Sequence, residues 1–328
     1  MKCAVHVVAV CLLSGVHYGF CQAATPHSND QPQEPKISVN FHAPAPHPTP
    51  TLSDLERFRR SRQPDQLLST TIDDDHEDAG LENGGGGKYS GAYAVHTVYS
   101  DLQLKLPQNA VRTQTLFAPT TRPPNGACLE LGTAYTTDIN TGSTGAALYV
   151  YDFCKPGGPD WGISPTAVGN DSKPKYPIDA NFIKTYAGDS IQTNPAYRVT
   201  IYTADVPPAS SSKWVAQLYN FHTSQWETLY TSTGVYNSDV RGWTIFETWF
   251  QSGQCSESLP LLGANAVSYF NYSTQKWEPL AQHMHGLDNY TSHGGSHNQN
   301  CFTDDHTGPA SYTISPDPPQ DWWKVVSR

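Results

Sequence analysis

The sequence predicts an all-β protein, an antiparallel β-sandwich preceded by a leader that has no core. Three observations predict it. Short runs rich in Val, Thr, Tyr and Trp recur along the chain, separated by clusters of Gly, Pro, Asn and Ser. Helical periodicity is weak throughout, and only Ala180 to Tyr186 reads as a short turn of helix. The stretch Gly242-Trp243-Thr244-Ile245-Phe246-Glu247-Thr248-Trp249-Phe250 sets bulky apolar side chains around a single acid. Strand alternation puts Trp243, Ile245, Glu247 and Trp249 on one face and Thr244, Phe246, Thr248 and Phe250 on the other. Neither face is polar, so this strand is expected to be central. A carboxylate on it must be partnered or functional, because burying a lone charge costs too much.

The N-terminus reads as a secretory signal. Lys2 gives a short basic start, Val7 to Leu13 an apolar centre, and Cys21-Gln22-Ala23 a small-residue end, with cleavage expected near Ala23 or Ala24. The apolar run is shorter than a membrane span and contains His6 and His17. Residues 24–88 are expected to form a disordered leader or propeptide. Phe41 to Pro50 is Pro-rich and extended, Asp73 to Asp78 is an acid run, and Gly84 to Gly87 follows. Between them, Arg57-Phe58-Arg59-Arg60 resembles a furin- or kexin-type processing site, so a matured chain would begin near Ser61 or Gln63. The folded domain is expected over 89–328, long enough for one large sandwich.

The chain carries a formal charge of −10 and has no basic stripe, which argues against nucleic acid and anionic membranes as partners. Cys3, Cys11 and Cys21 leave with the signal. Cys128, Cys154, Cys255 and Cys301 remain, an even set suited to an oxidising compartment. Three pairings are possible; we favour the chain-local one, Cys128–Cys154 and Cys255–Cys301. No CxxC pair is present to build a thiolate zinc site. Asn170, Asn271 and Asn289 open glycosylation sequons. The expected molecule is a secreted, extracellular monomer.

In chain order, strands are expected over Tyr89–Tyr99, Arg112–Pro119, Ala127–Tyr135, Ala146–Cys154, Tyr197–Ala204, Trp214–Phe221 and Trp226–Thr231. The Glu247 strand follows, then Ala266–Tyr272 and Trp277–Leu280, with Asp321–Val326 closing the sandwich. On the third strand Cys128, Glu130, Gly132 and Ala134 share a face, which leaves room above Glu130, while Leu129, Leu131, Thr133 and Tyr135 take the other. Tyr219 to Leu229 echoes Phe270 to Leu280, with Asn, Trp, Glu and Leu at matching offsets. Each copy reads as a hairpin whose second strand opens with Trp-Glu. These are either one hairpin solution used twice or twin sugar sites, each with a stacking Trp.

Glu130 and Glu247 on matching strands form a candidate carboxylate pair. One acid, ionised, takes a proton from water, while the other, protonated, gives one to the leaving group. The same pair of roles hydrolyses peptide or glycosidic bonds. The alternative for each is a strand carboxylate paired to a hydroxyl or an Arg. His283, His285, His293, His297 and His306, with Asp304 and Asp305, form a His-rich tail; its Gly-, Ser- and Asn-rich composition favours a solvated loop over a metal site. There is no Gly-x-Ser-x-Gly, Walker loop or His-Glu-x-x-His.

Cys128-Leu129-Glu130-Leu131-Gly132 and Gly242-Trp243-Thr244-Ile245-Phe246-Glu247 carry a family likeness. At these residues the chain resembles the glutamic peptidases, the eqolisin type and more loosely the neprosin type. The eqolisin type has a Leu-Gln-Thr-Gly strand and a later Ala-Glu-Trp-Ile-Val-Glu strand in a concanavalin-like sandwich. Here Glu130 stands at the Gln position, as a two-Glu neprosin-type enzyme would have it, and Trp243 replaces the first acid of the second motif. The likeness spans roughly Tyr89 to Tyr272. The chain also resembles secreted microbial proteins with the same Ala-Cys-Leu-Glu and Trp-x-Ile-Phe-Glu pattern. The resemblance implies a concanavalin-like sandwich acting as an acid peptidase without a cofactor. Glu130 would be the base; Glu247 would be the acid and oxyanion partner, kept protonated between Trp243 and Trp249. Trp243, Trp249, Tyr135 and Asp152 would line the substrate groove for an extracellular polypeptide. The rival expectation is a non-catalytic carbohydrate-binding sandwich using Trp226 and Trp277, with a glycosidase on the same two acids as a third.

Overall fold

Two antiparallel sheets face each other across an apolar core. The computed structural model describes residues 74–83, 89–102, 104, 114–124, 128–137, 144–166, 173–209, 211–232, 242–251, 259–279, 289–294, 312–316 and 322–327. All of them fall in the unit Pro32–Arg328. In chain order the elements are β1 (Asp74–Asn83), β2 (Tyr89–Thr97), β3 (Gln114–Arg122), β4 (Leu129–Thr137), β5 (Thr144–Asp152), β6 (Asp160–Ile163), helix α1 (Ala180–Tyr186), β7 (Asp189–Ile191), β8 (Asn194–Thr203), β9 (Trp214–Asn220), β10 (Gln225–Thr231), β11 (Gly242–Gln251), β12 (Leu262–Asn271), β13 (Lys276–Pro279), β14 (Asn289–Gly294), β15 (Tyr312–Pro316) and β16 (Trp323–Ser327). One sheet runs β14-β1-β11-β3-β4-β5-β6, and the other β10-β9-β8-β2-β12-β16-β15, with β13 on β12 and β7 on β8.

Alternation along each strand decides what enters the core. Leu116 and Ala118, Leu129, Leu131 and Tyr135, Leu148 and Val150, and Phe246 come from the seven-stranded sheet. They meet Ala92 and Ala94, Val199 and Ile201, Ala216 and Leu218, Val267 and Trp323 from the other. Several polar groups in this layer are paired with one another. His96 Nε2 lies 2.7 Å from Thr121 Oγ1, and Thr133 Oγ1 lies 2.7 Å from Tyr197 Oη, whose ring packs edge-on to His96. Trp323 Nε1 donates to Thr244 Oγ1. The predicted helix forms where expected: Asp179 caps it, accepting from the Asn181 and Phe182 amides, while Phe182 and Ile183 face the core.

The expected domain boundary at residue 89 moves toward the N-terminus. The acid run and the residues after it form β1, which lies inside the seven-stranded sheet between β11 and β14. Charge density there favours an unfolded chain, yet pairing on both sides satisfies the backbone of Asp74–Asn83 and wins over local composition. Gly80 makes the close fit possible, since a Cβ at this position would collide with the Thr244 carbonyl oxygen. Part of the His-rich tail is likewise strand rather than loop, because β14 pairs with β1. The signal segment, the processing site, Cys255, Cys301, Asn170, His283, His285, His297 and His306 lie outside the described residues.

Candidate functional site on the outer face of the seven-stranded sheet

Glu130 and Glu247 share the outer face of this sheet. Phe246, before Glu247, and Leu129 and Leu131, either side of Glu130, all point into the core, so both acids point away from it. Glu130 is 0% and Glu247 1% exposed. Tyr149 Oη donates to Glu130 Oε1 at 2.7 Å, and Tyr151 stands opposite Glu130 in the β4–β5 ladder.

An aromatic wall surrounds Glu130. Phe117, Tyr149, Tyr151 and Phe153 form a cluster with Trp161 and Trp243 against it. Tyr149 and Tyr151 pack edge-on to Trp161, with ring centroids 5.5 and 5.2 Å apart. The Arg122 guanidinium carbon lies 4.3 Å from the Phe153 ring centroid and 4.4 Å from that of Trp243. Sequence reading missed Arg122 because Pro119 was expected to end the strand; β3 instead continues through a register shift between Phe117 and Thr120. The alternation Tyr149-x-Tyr151-x-Phe153 was the legible signal for the wall.

The register separates the two acids. Glu247 pairs with Phe117 on β3, and Phe117 pairs with Ala134 on β4. Glu130 therefore lies four residues along and two strands across from Glu247, a Cα separation of roughly 16 Å in a flat sheet. A direct hydrogen bond between the carboxylates, the expected dyad geometry, is not what this register arranges.

Of the expected groove residues, Trp243 joins the aromatic wall and Trp249 holds the register position opposite Thr115 on β3. Tyr135 and Asp152 do not belong to this face. Tyr135 points into the core, where its Oη accepts from the Tyr99 amide. Alternation with Tyr149 and Tyr151 turns Asp152 toward the other sheet. There it accepts from the Cys154 amide at 2.8 Å and from Tyr230 Oη of β10 at 2.9 Å. Burial pushes the Asp152 carboxyl above its ordinary range, against the pull of these bonds and of Lys155. The Cys128–Cys154 disulfide forms as expected, with Cα atoms 5.0 Å apart, and ties the ends of β4 and β5 beside Glu130.

The sequence echo is a repeated hairpin. Asn220 Oδ1 accepts from the His222 and Thr223 amides while its Nδ2 donates to Glu227, and Asn271 does the same with Ser273, Thr274 and Glu278. Ser224 and Gln275 take positive φ at matching positions. Trp226 and Trp277 do not head two separate sites. Both pack edge-on against Tyr93 on the outer face of the other sheet, 6.2 and 6.1 Å away. The Asn271 amide, expected to carry a glycan, is committed within its turn. Among the described residues no group of three or more His, Cys, Asp or Glu is placed to hold a metal, and no helix is long and apolar enough to cross a membrane.

No protein-family model and no curated protein matches this sequence. Among solved structures the chain is similar to Scytalido-glutamic peptidase with a peptide-based transition-state analogue, at 9% identity and a TM-score of 0.40. It is similar to the same peptidase with a transition-state analogue inhibitor, at 11% and 0.38. A third is SCP-B, a member of the eqolisin family of peptidases, in complex with the tripeptide Ala-Ile-His, at 8% and 0.38. Each match covers 77% of this chain and 98% of the other. At this level the likeness is one of overall fold and carries no statement about activity.

Proposed function

We propose that the chain is a secreted, acid-acting peptidase of the glutamic type. Glu130 activates water, Glu247 supplies the proton and steadies the oxyanion, and an extended polypeptide lies along the outer face of the seven-stranded sheet. The observation that carries this is the placement of two almost wholly buried carboxylates on one face of one sheet, beside an aromatic wall. Buried acids persist only where partners or function repay desolvation. In keeping with their separation in register, base and acid act from different positions with substrate and water between them. General acid–base hydrolysis of this kind needs no cofactor. Secretion is supported by the signal pattern at residues 1–23 and by the disulfide.

The test is cleavage of casein between about pH 3 and pH 6 by the matured chain. Glu247→Gln should fold and lose at least ~10² in turnover. Glu130→Gln removes the base and should leave little activity if the chain needs two acids; retained activity would mean that an amide serves at this position, as in the eqolisin-type motif. No cleavage by the unaltered protein at any pH would overturn the proposal. A second function, glycan binding, is favoured by one observation: half-buried Trp226 and Trp277 converge on Tyr93 away from the acids. Trp226→Ala or Trp277→Ala would then abolish sugar binding and leave cleavage intact.

A further inference from the structure

Arg122 is 5% exposed, and its guanidinium lies between the rings of Phe153 and Trp243. An arginine is charged at every working pH, so a buried one calls for an anion close by. The β3–β4 ladder ends with Thr121 opposite Leu131; Arg122 and Glu130 are the residues that follow on each strand, one step past its end. Both side chains are on the outer face: Arg122 through its contacts with Phe153 and Trp243, Glu130 through its bond from Tyr149. Directly opposed residues on adjacent antiparallel strands have Cβ atoms roughly 5 Å apart.

Arg122 Nε and Nη2 and Glu130 Oε2 make no hydrogen bond among the described residues, so charge at close range is what relates Arg122 to Glu130. A related arrangement occurs once more, there as a bidentate ion pair. The Arg198 guanidinium carbon lies 4.9 and 4.7 Å from the rings of Tyr219 and Phe221. Its Nε and Nη2 donate to the two carboxylate oxygens of buried Asp189, at 2.7 and 3.0 Å. Aromatic rings hold a guanidinium flat and keep water from it, so that its donors serve one carboxylate.

We infer that Arg122 is the positioning residue for Glu130: held against Phe153 and Trp243, its charge keeps the Glu130 carboxylate, bonded by Tyr149, ionised and ready to take a proton from water. The role in proton transfer rests on the proposed peptidase function; the pairing of Arg122 with Glu130 does not. The arrangement also splits the work of the two acids, since the base is the one with a cation one step past the same end of its ladder.

The experiment follows the Glu130 carboxyl by carbon NMR across a pH titration, assigned by its loss in Glu130→Gln, with casein cleavage measured on the same samples. In Arg122→Met the Glu130 midpoint should rise by about 1 to 3 pH units, and the acid limb of the cleavage profile should rise with it. Arg122→Lys keeps a charge and should stay near the unaltered protein. An unchanged Glu130 midpoint in Arg122→Met overturns the inference, even if Glu130→Gln abolishes cleavage. A raised midpoint in a protein that cleaves nothing leaves the pairing standing and removes the peptidase. Should Arg122→Met fail to fold, the double variant Arg122→Met/Glu130→Gln decides. Recovery of the folded state shows that the two charges are coupled, and strictly additive losses show that they are not.

Discussion

At the scale of single residues, His96 is the group that ties stability to pH. It lies wholly buried between the sheets, with Thr121 and Tyr197 on its two ring nitrogens, and burial lowers its pKa from 6.5 to about 3. The unfolded chain takes up this proton near pH 6.5 and the folded chain only near pH 3. Stability from His96 is therefore full above about pH 6.5 and falls away as pH drops toward 3, by an amount on the order of 5 kcal/mol. Asp152 works in the opposite sense: its raised proton affinity means that the folded state gains on the unfolded one as pH falls through the Asp152 titration. Urea melts at pH 7, 5 and 4 should show a steeper loss for the unaltered protein than for His96→Gln. Equal slopes would mean that His96 is not buried neutral. If the chain cleaves protein in acid, it does so against this loss, and its maximum is expected nearer about pH 5 than about pH 3.

At the scale of elements, β1 departs furthest from its local sequence. Asp74 to Asp78 reads as solvated, yet the strand is held by backbone pairing to β11 and by the absence of a side chain at Gly80. Gly80→Ala should push β1 off the Thr244 carbonyl and destabilise the protein by about 1–3 kcal/mol, read from thermal melts. No change would mean that β1 is loosely attached. A chain starting at residue 63 should match the full-length protein, and one starting at 89 should melt lower, since it leaves the edge of β11 uncovered. What the sequence made legible follows the same division. Strands such as β4, β9 and β11 announce themselves by alternation, and the twin hairpins by their repeated Asn and Trp-Glu. Alternation also put Glu130 and Glu247 on defined faces. Tyr135 and Asp152 are assigned to a groove by family resemblance alone, and alternation already sets Tyr135 on the face opposite Glu130, which is the core face. Alternation does not give register, so it cannot tell two acids on one face from a close pair. Arg122 was hidden because a proline normally ends a strand, and here a shift in register carries β3 past it.

At the scale of the whole molecule, a disulfide helps hold the acid-bearing end of the sandwich together. Cys128 and Cys154, 26 residues apart in sequence, close the β4–β5 hairpin at the end that carries Glu130. The same end has the short bond from the Phe153 amide to the Cys128 carbonyl and the Asp152–Tyr230 bond to the other sheet. A cross-link over a loop of this size stabilises a fold by about 3 kcal/mol in the chain-entropy account. Reduction, or Cys128→Ala/Cys154→Ala, should lower the melting temperature. It should also speed amide exchange first near residues 128–132 and 150–154, with β12 and β16, across the second sheet from the strands that pack on β4, less affected. Uniform acceleration through both sheets would show that the bond guards global unfolding alone. No acceleration near Glu130 would show that the aromatic wall and its buried charges hold that end without the cross-link.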